Sequence, residues 1–254
     1  MMRRHGKSGF MAGATVFPGG KVDDADRDRG KGRSAKQCAD LLKRSNAELA
    51  RAFFVAAARE LHEEAAVLLA RDQDGAMPTP ALVQQVNIGL EALRDGHRID
   101  AERYHDLLAD HGLTLALDLL HPFAHWVTPT VEPRRFDTCF FVALCPQGQK
   151  AQNDGYEATD ADWLQPSDAV DTHASGGAVI LPPPTLHTLQ RMAGLGTSAT
   201  DIRDRLGSAG IGPAIEPIFL VDTPQGPVIA MPDDPLHPKC DATERDGARR
   251  NRFV

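Results

Sequence analysis

Ala58-Arg59-Glu60-Leu61-His62-Glu63-Glu64-Ala65-Ala66-Val67 is the stretch on which the reading of this chain turns. No Gly or Pro interrupts residues 47–71, so the spacing predicts one long helix. On a helix, positions i, i+3 and i+4 share a face, which gathers Glu60, Glu63 and Glu64 into one acidic stripe. Each close pair of like charges there costs roughly 0.2–0.5 kcal/mol. Either solvent covers such a face or a cation does. Taken alone, the stretch would read as a solvated acidic face.

Working outward, Ser45 or Asn46 is a suitable N-cap, and Glu48 falls in the first turn. Phe54, Ala57, Leu61, Ala65 and Leu68 keep a 3.6-residue period on the side away from the acids, so one face is expected to pack while the other lines a site. Upstream, residues 10–22 read as a short strand broken by the Pro18-Gly19-Gly20 turn, and 23–34 as an exposed loop. Residues 35–44 suit a short helix. Downstream, 81–121 reads as mostly helical, with Gly89, Gly96 and Gly112 as interruptions. Two strand-like runs, 123–128 and 136–144, are predicted to form an antiparallel hairpin. A further extended segment is expected at 157–164, helices near 186–193 and 199–206, and a second hairpin from 218–221 and 228–231.

The chain has 254 residues, 42% apolar and 25% charged, which permits a sizeable core. Its formal charge is −7, the wrong sign for a dedicated nucleic-acid binder, although a few local Arg can still meet a small phosphorylated substrate. Cys38, Cys139, Cys145 and Cys240 form no CxxC pair and read as reduced thiols. No run approaches the roughly 20 apolar residues of a membrane span, and the basic N-terminus lacks the apolar core of a signal peptide. A cytoplasmic enzyme without a membrane or nucleic-acid partner is therefore expected, with a homodimer as the assembly kept in view.

These residues resemble the Nudix hydrolase family, whose signature is Gly-x5-Glu-x7-Arg-Glu-U-x-Glu-Glu-x-Gly-U, with U a bulky aliphatic. Gly20 opens it and Asp26 stands where Glu is usual. Arg59-Glu60-Leu61-His62-Glu63-Glu64 matches the second half. The seven-residue spacer has grown to 32 residues, from Arg27 to Ala58, and Ala66 replaces the second Gly. With Ala there, the helix is expected to run one more turn through Val67-Leu68-Leu69. His62 occupies the variable position of the signature and is expected at the surface.

The resemblance implies an α/β fold (an α+β chain of the Nudix α/β/α sandwich type with a mixed central sheet and a helical insertion). It implies one elaborated domain over 1–240, with an insertion at 27–46, a helical segment at 81–121, a C-terminal extension at 182–240, and a loose tail at 241–254. It also implies a metal site for Mg²⁺ or Mn²⁺ built from Glu60, Glu63, Glu64 and the Gly19 carbonyl beside Gly20. Hard carboxylate oxygens suit those ions. Arg59 is expected to pair with a neighbouring acid or a loop carbonyl and so hold the helix to the loop. Glu157, six residues before Trp163, is the candidate for base or additional metal ligand; Glu132, Asp160 and Asp162 are its rivals. Arg134 and Arg135 are candidates for substrate phosphates, because guanidinium forks fit them. His121 and His125 lie four apart, but in a strand that spacing makes no metal pair.

Gly13-Ala-Thr-Val-Phe17-Pro-Gly-Gly-Lys-Val-Asp23, the insertion, Trp126-Val-Thr-Pro129, Arg134-Arg-Phe-Asp-Thr138 and Leu181-Pro-Pro-Pro184 resemble the branch containing peroxisomal coenzyme A diphosphatases and bacterial relatives. This covers residues 3–190, with a weaker match over 216–238. The Gly-x3-Phe-Pro-Gly-Gly half of a coenzyme A motif is present, but Gly9 takes the place of its Arg. The expected activity is hydrolysis of the diphosphate in a nucleoside diphosphate linked to another moiety, with coenzyme A or its acyl derivatives leading. ADP-ribose, NADH and dinucleoside polyphosphates are the other substrates, and a non-catalytic nucleotide-sensing domain is the alternative class. Relatives of this branch place a strand ahead of Arg3-Arg4, so an N-terminally extended chain is expected to be more stable.

Overall fold

The computed structural model describes residues 1–4, 13–96, 98–152, 155–156, 158–196, 198–206, 210–221, 223, 226–240 and 252–253. Chain order runs β1 (Met2–Arg4), β2 (Thr15–Val16), α1 (Ala35–Leu42), α2 (Ala47–Ala65), β3 (Ala70–Arg71), α3 (Pro80–Leu93), α4 (Ala101–Asp110) and β4 (Thr114–Leu115). It continues with β5 (His121–Val127), β6 (Asp137–Val142), β7 (Ala158–Ala161), α5 (Pro166–Ala174), α6 (Pro183–Ala193), α7 (Ala199–Leu206), β8 (Ile218–Leu220), β9 (Val228–Ala230) and β10 (Arg252–Phe253). Two compact units divide the chain: Met1–His121 with Phe141–Gly210, and Pro122–Phe140 with Ile211–Val254. In place of one mixed central sheet, the described strands form four small sheets, ordered β2-β1-β7, β3-β4, β5-β6 and β10-β9-β8. No helix among the described residues is long and apolar enough to cross a membrane.

In the first unit, α2 is the organising element. Asn46 caps it by accepting from the Leu49 amide at 3.0 Å, satisfying an otherwise orphan donor. Its buried stripe is Ala50, Phe54, Ala58, His62 and Ala65, at spacings of three and four. Ala57 and Leu61, expected in the core stripe, are only partly buried. Leu61 instead joins Met2, Ala65 and Ala161 in a small cluster under β1. That strand has a partner on each edge: Met2 pairs with Val16 and with Ala161.

The helix ends earlier than expected. Ala66 takes the left-handed conformation, φ 54° and ψ 24°, and the run through Leu69 is not helical. Long-range partners claim the backbone there: the Ala65 carbonyl accepts from the Gln152 amide, and Leu69 accepts from Ala116. The Gln149 side chain pairs with Leu68 both ways, accepting its N–H at 2.7 Å and donating to its carbonyl at 2.9 Å. Those bonds replace the ones another helical turn would have made.

The 81–121 segment resolves into α3 and α4. Gly96 (φ 62°) and Gly112 (φ 68°) do break it, but Gly89 lies inside α3. A Cβ at Gly89 would stand 2.6 Å from a Leu107 methyl, so this glycine serves the close approach of the two helices. α5, which no sequence pattern announced, starts with Pro166 at its first turn and packs Ala169 against Leu181 and Leu189.

The second unit carries the predicted hairpins. β5 pairs with β6, and Thr128 and Phe136 close the connection through Thr128 N–H to Phe136 O and Phe136 N–H to Thr128 Oγ1, both 3.0 Å. β8 and β9 are antiparallel, with Ile218 opposite Ala230. Of the tail expected to be loose, 241–251 and 254 lie outside the described residues, while Arg252 and Phe253 pair with Ala230 and Ile229.

Candidate active site

Arg59 is the hub. Its guanidinium is almost wholly buried, and Nε and Nη2 grip both oxygens of Asp26 at 2.9 and 3.0 Å. Nη1 donates to Glu60 Oε1 at 2.9 Å and to Glu63 Oε1 at 3.1 Å, and Nη2 also reaches the Lys21 carbonyl at 2.9 Å. One fork thus ties helix α2 to the loop that follows Gly20. A planar guanidinium offers five donors in fixed directions, which is what holding several oxygens at once requires. Burial disfavours the charge, but Asp26, Glu60 and Glu63 outweigh it and hold Arg59 protonated.

Asp26, in the loop expected to be exposed, is fully buried. It ends a short 3-10 turn, Asp24–Asp26, capped by Asp23 through the Ala25 amide, and it accepts in turn from the Asp23 amide at 2.9 Å. Burial pushes its carboxyl up, yet the bonds from His105 and Arg59 prevail and hold it below the ordinary carboxylate range. His105 Nε2 stands 3.2 Å from Asp26 Oδ1.

The Pro18-Gly19-Gly20 turn meets the acidic face of α2 directly. Gly19 N–H donates to Glu64 Oε2 at 2.9 Å. A Cβ on Gly20 would lie 2.3–2.5 Å from the Glu60 carboxyl group, so only glycine leaves that carboxylate where it is. Gly19 and Gly20 thus meet Glu64 and Glu60, and Arg59 links Glu60 to Glu63 and to Asp26. The acidic face is only partly solvated: Glu63 is buried at 9% exposure, and Glu60 and Glu64 are partly buried. Burial drives its carboxyl up to about 7, against the pull of Arg59. Three carboxylates, Asp26, Glu60 and Glu63, meet one guanidinium while Glu64 accepts from the Gly19 amide, and an oxygen-rich set short of positive charge is chemically suited to a hard divalent cation.

His62 is fully buried, not at the surface as expected. Its Nε2 lies 2.8 Å from Asn87 Oδ1, and its Nδ1 lies 3.1 Å from the Tyr104 hydroxyl. An amide oxygen only accepts, so Nε2 carries the proton and Nδ1 takes the hydroxyl. Burial lowers the imidazole to about 4 and keeps it neutral. Arg94, at the end of α3, donates to the Glu63 carbonyl and steadies the last turn of α2. Sequence reasoning missed Arg94, His105, Asn87 and Tyr104 as supports. Only His62 carried a signal, its register with Phe54, Ala58 and Ala65.

Other sequence-predicted residues lie elsewhere. Glu157 falls outside the described residues, as does the Asp160 side chain. Asp162 exchanges backbone hydrogen bonds with Met1, and Glu132 is exposed in the second unit. Arg134 and Arg135 sit on the exposed β5–β6 connection of the second unit, where Arg135 donates to the Thr128 carbonyl and pairs with Glu216 at 3.2 Å.

A family model described as the NUDT19 Nudix domain matches residues 42–192, more than half of the chain. The chain belongs to the Nudix hydrolase family. Among relatives of this Nudix hydrolase, the human acyl-coenzyme A diphosphatase NUDT19 is 30% identical over 93% of this chain and 71% of its own length. Putative nudix hydrolase 7 of Caenorhabditis elegans is 28% identical over 76% of this chain, which spans only 55% of that relative. A NUDIX hydrolase crystal structure from Alicyclobacillus acidocaldarius superposes with a TM-score of 0.61 at 25% identity, covering 84% of this chain and 88% of the other. The chain is thus a hydrolase with the α/β Nudix fold, related to acyl-coenzyme A diphosphatases.

Proposed function

We propose that this Nudix hydrolase is a divalent-metal-dependent pyrophosphohydrolase that cleaves the diphosphate of coenzyme A or an acyl-coenzyme A. The observation supporting this reading is that Glu64 and Glu60 meet the Gly19-Gly20 turn while Arg59 ties Glu60 to Glu63. These carboxylates and the Gly19 carbonyl would hold Mg²⁺ or Mn²⁺. When bound, that ion neutralises the diphosphate, polarises the phosphorus and orients water. Arg59 fixes Oε1 of Glu60 and Glu63, so both carboxyl groups are positioned before substrate arrives. Gly20, whose missing Cβ lets the turn lie against the Glu60 carboxylate, is the proposed substrate contact of the turn. Glu157 is the proposed base or additional ligand, and Arg134 and Arg135 the proposed phosphate contacts. On this reading 1–240 is one elaborated Nudix domain with a small-molecule substrate. The name of the human relative and the Gly13-x3-Phe17-Pro-Gly-Gly pattern favour coenzyme A over ADP-ribose, NADH or dinucleoside polyphosphates.

A substrate panel with Mg²⁺ or Mn²⁺, comparing wild type with Glu63→Gln and Glu64→Gln, tests the reading. Turnover of coenzyme A or acyl-coenzyme A lost in both variants is the expected result. Undiminished turnover in both would reject the metal site. Turnover of ADP-ribose or NADH without turnover of coenzyme A would reject the substrate.

A further inference from the structure

The hairpin of the second unit holds a second set of metal-ligating groups, unlike the first in its chemistry. His125 on β5 and Asp137 and Cys139 on β6 each offer one ligand atom, and these atoms all lie within 4.8 Å of one another. Asp137 and Cys139 are two apart on a strand, so both point to one face, where the His125 ring meets them. His125 Nε2 stands 2.7 Å from Asp137 Oδ1, a distance that places one proton between them. His125 is largely buried and Asp137 half exposed, which gives an ion a fixed floor and an open entry. Cys139 carries no disulfide. His121, four residues before, plays no part; the partners of His125 come from across the hairpin.

We propose that His125, Asp137 and Cys139 form a binding site for a divalent transition ion of the zinc class. One imidazole, one carboxylate and one thiolate are a borderline-soft set. Zinc takes such ligands in tetrahedral sites with bonds of about 2.0–2.3 Å, which puts ligand atoms about 3.3–3.6 Å apart. To reach that spacing the His125–Asp137 pair, now 2.7 Å apart, opens by less than an ångström, and Cys139 Sγ, within 4.8 Å of both, turns in toward them. The ion displaces the proton shared by His125 and Asp137, and the Cys139 thiol releases its own to solvent. Three protein ligands leave a fourth position for water. Mg²⁺, which wants octahedral oxygens, is a poor match here, so this site and the box glutamates select different ions. The two strands carrying the ligands flank the connection that bears Arg134 and Arg135, so a bound ion ties together both ends of that loop.

Titration of the full chain with Co²⁺ alone tests this directly. The expected result is one equivalent giving a near-ultraviolet thiolate-to-cobalt band with the visible bands of tetrahedral cobalt. Cys139→Ser and Cys139→Ala should each abolish the near-ultraviolet band. His125→Asn and Asp137→Asn should weaken Zn²⁺ affinity, read by competition with a chelating dye, about tenfold or more. Cys145→Ser and Glu63→Gln should keep the band, which separates this site from the box, and metal-free melting curves show that the variants fold. A wild-type chain that develops no such band overturns the proposal, as does a band that survives loss of Cys139 or disappears in Glu63→Gln.

Discussion

Replacing Ala66 with Gly should stabilise the protein. Ala66 ends α2 with φ 54° and ψ 24°, and its N–H closes the last helical bond onto the His62 carbonyl at 2.9 Å. In that conformation a Cβ crowds the following carbonyl, costing roughly 1–2 kcal/mol. Glycine removes the clash but releases more freedom in the unfolded chain, which takes back about 0.4–1 kcal/mol. The net gain is about 0.5–1 kcal/mol, and at about 2–4 °C per kcal/mol for a domain of this size Tm should rise about 1–4 °C. Calorimetry and urea unfolding check it, the latter with an unchanged m-value, since the surface exposed on unfolding stays the same. Ala66→Val, whose branched side chain suits that region worst, should fall below wild type. A Tm that drops in Ala66→Gly would refute the reasoning, because it would mean that the Ala66 methyl contributes more than the left-handed backbone costs.

Asp26→Asn leaves the buried Arg59 short of its two-pronged partner, and removing one side of such a pair costs about 3–5 kcal/mol, readable as a shift of the urea midpoint. Gly20→Ala should displace the Glu60 carboxylate and cut turnover about a hundredfold, while Tm changes little, because the displaced group is the end of a flexible side chain. His62 is held near 4 in the fold against an ordinary 6.5, so the unfolded chain takes up its proton first as pH falls. Its contribution is complete above pH 6.5 and is lost between pH 6.5 and 4, up to about 3 kcal/mol, and His62→Gln should flatten that part of the stability–pH curve.

Much of the site was legible because its logic is local. Glu60, Glu63 and Glu64 are neighbours by helical spacing alone, and the Asn46 cap and the β5–β6 hairpin follow from short-range preferences. What escaped was decided by partners far along the chain. Ala is the best helix former, yet Gln149 and Gln152 claim the backbone beyond Ala65 and the helix stops. His62 looks like a surface residue of an acidic stretch until Asn87 and Tyr104, from α3 and α4, close over it. Asp26 sits in a charged, Gly-containing loop, and only the Arg59 fork and His105 explain its burial. Pairings across the hairpin are equally invisible to spacing, which relates His125 to His121 and not to Asp137 and Cys139.

The Arg59–Asp26 clasp also bears on how this chain can change over evolution. Lengthening the closed segment from seven residues to 32 adds only about 1.3 kcal/mol of loop-closure entropy, since that cost grows with the logarithm of length. The added segment meets that cost with its own packing: α1 buries Cys38 and Leu42, and Arg33 binds the carbonyls of Leu117, Asp118 and Leu120. With its two ends pinned by the clasp, the segment behaves as a port. Ahead of α2, within residues 27–46, sequence can be gained, lost or exchanged while the carboxylates on the far side keep their geometry, which makes this the natural place to graft a tag or a second domain.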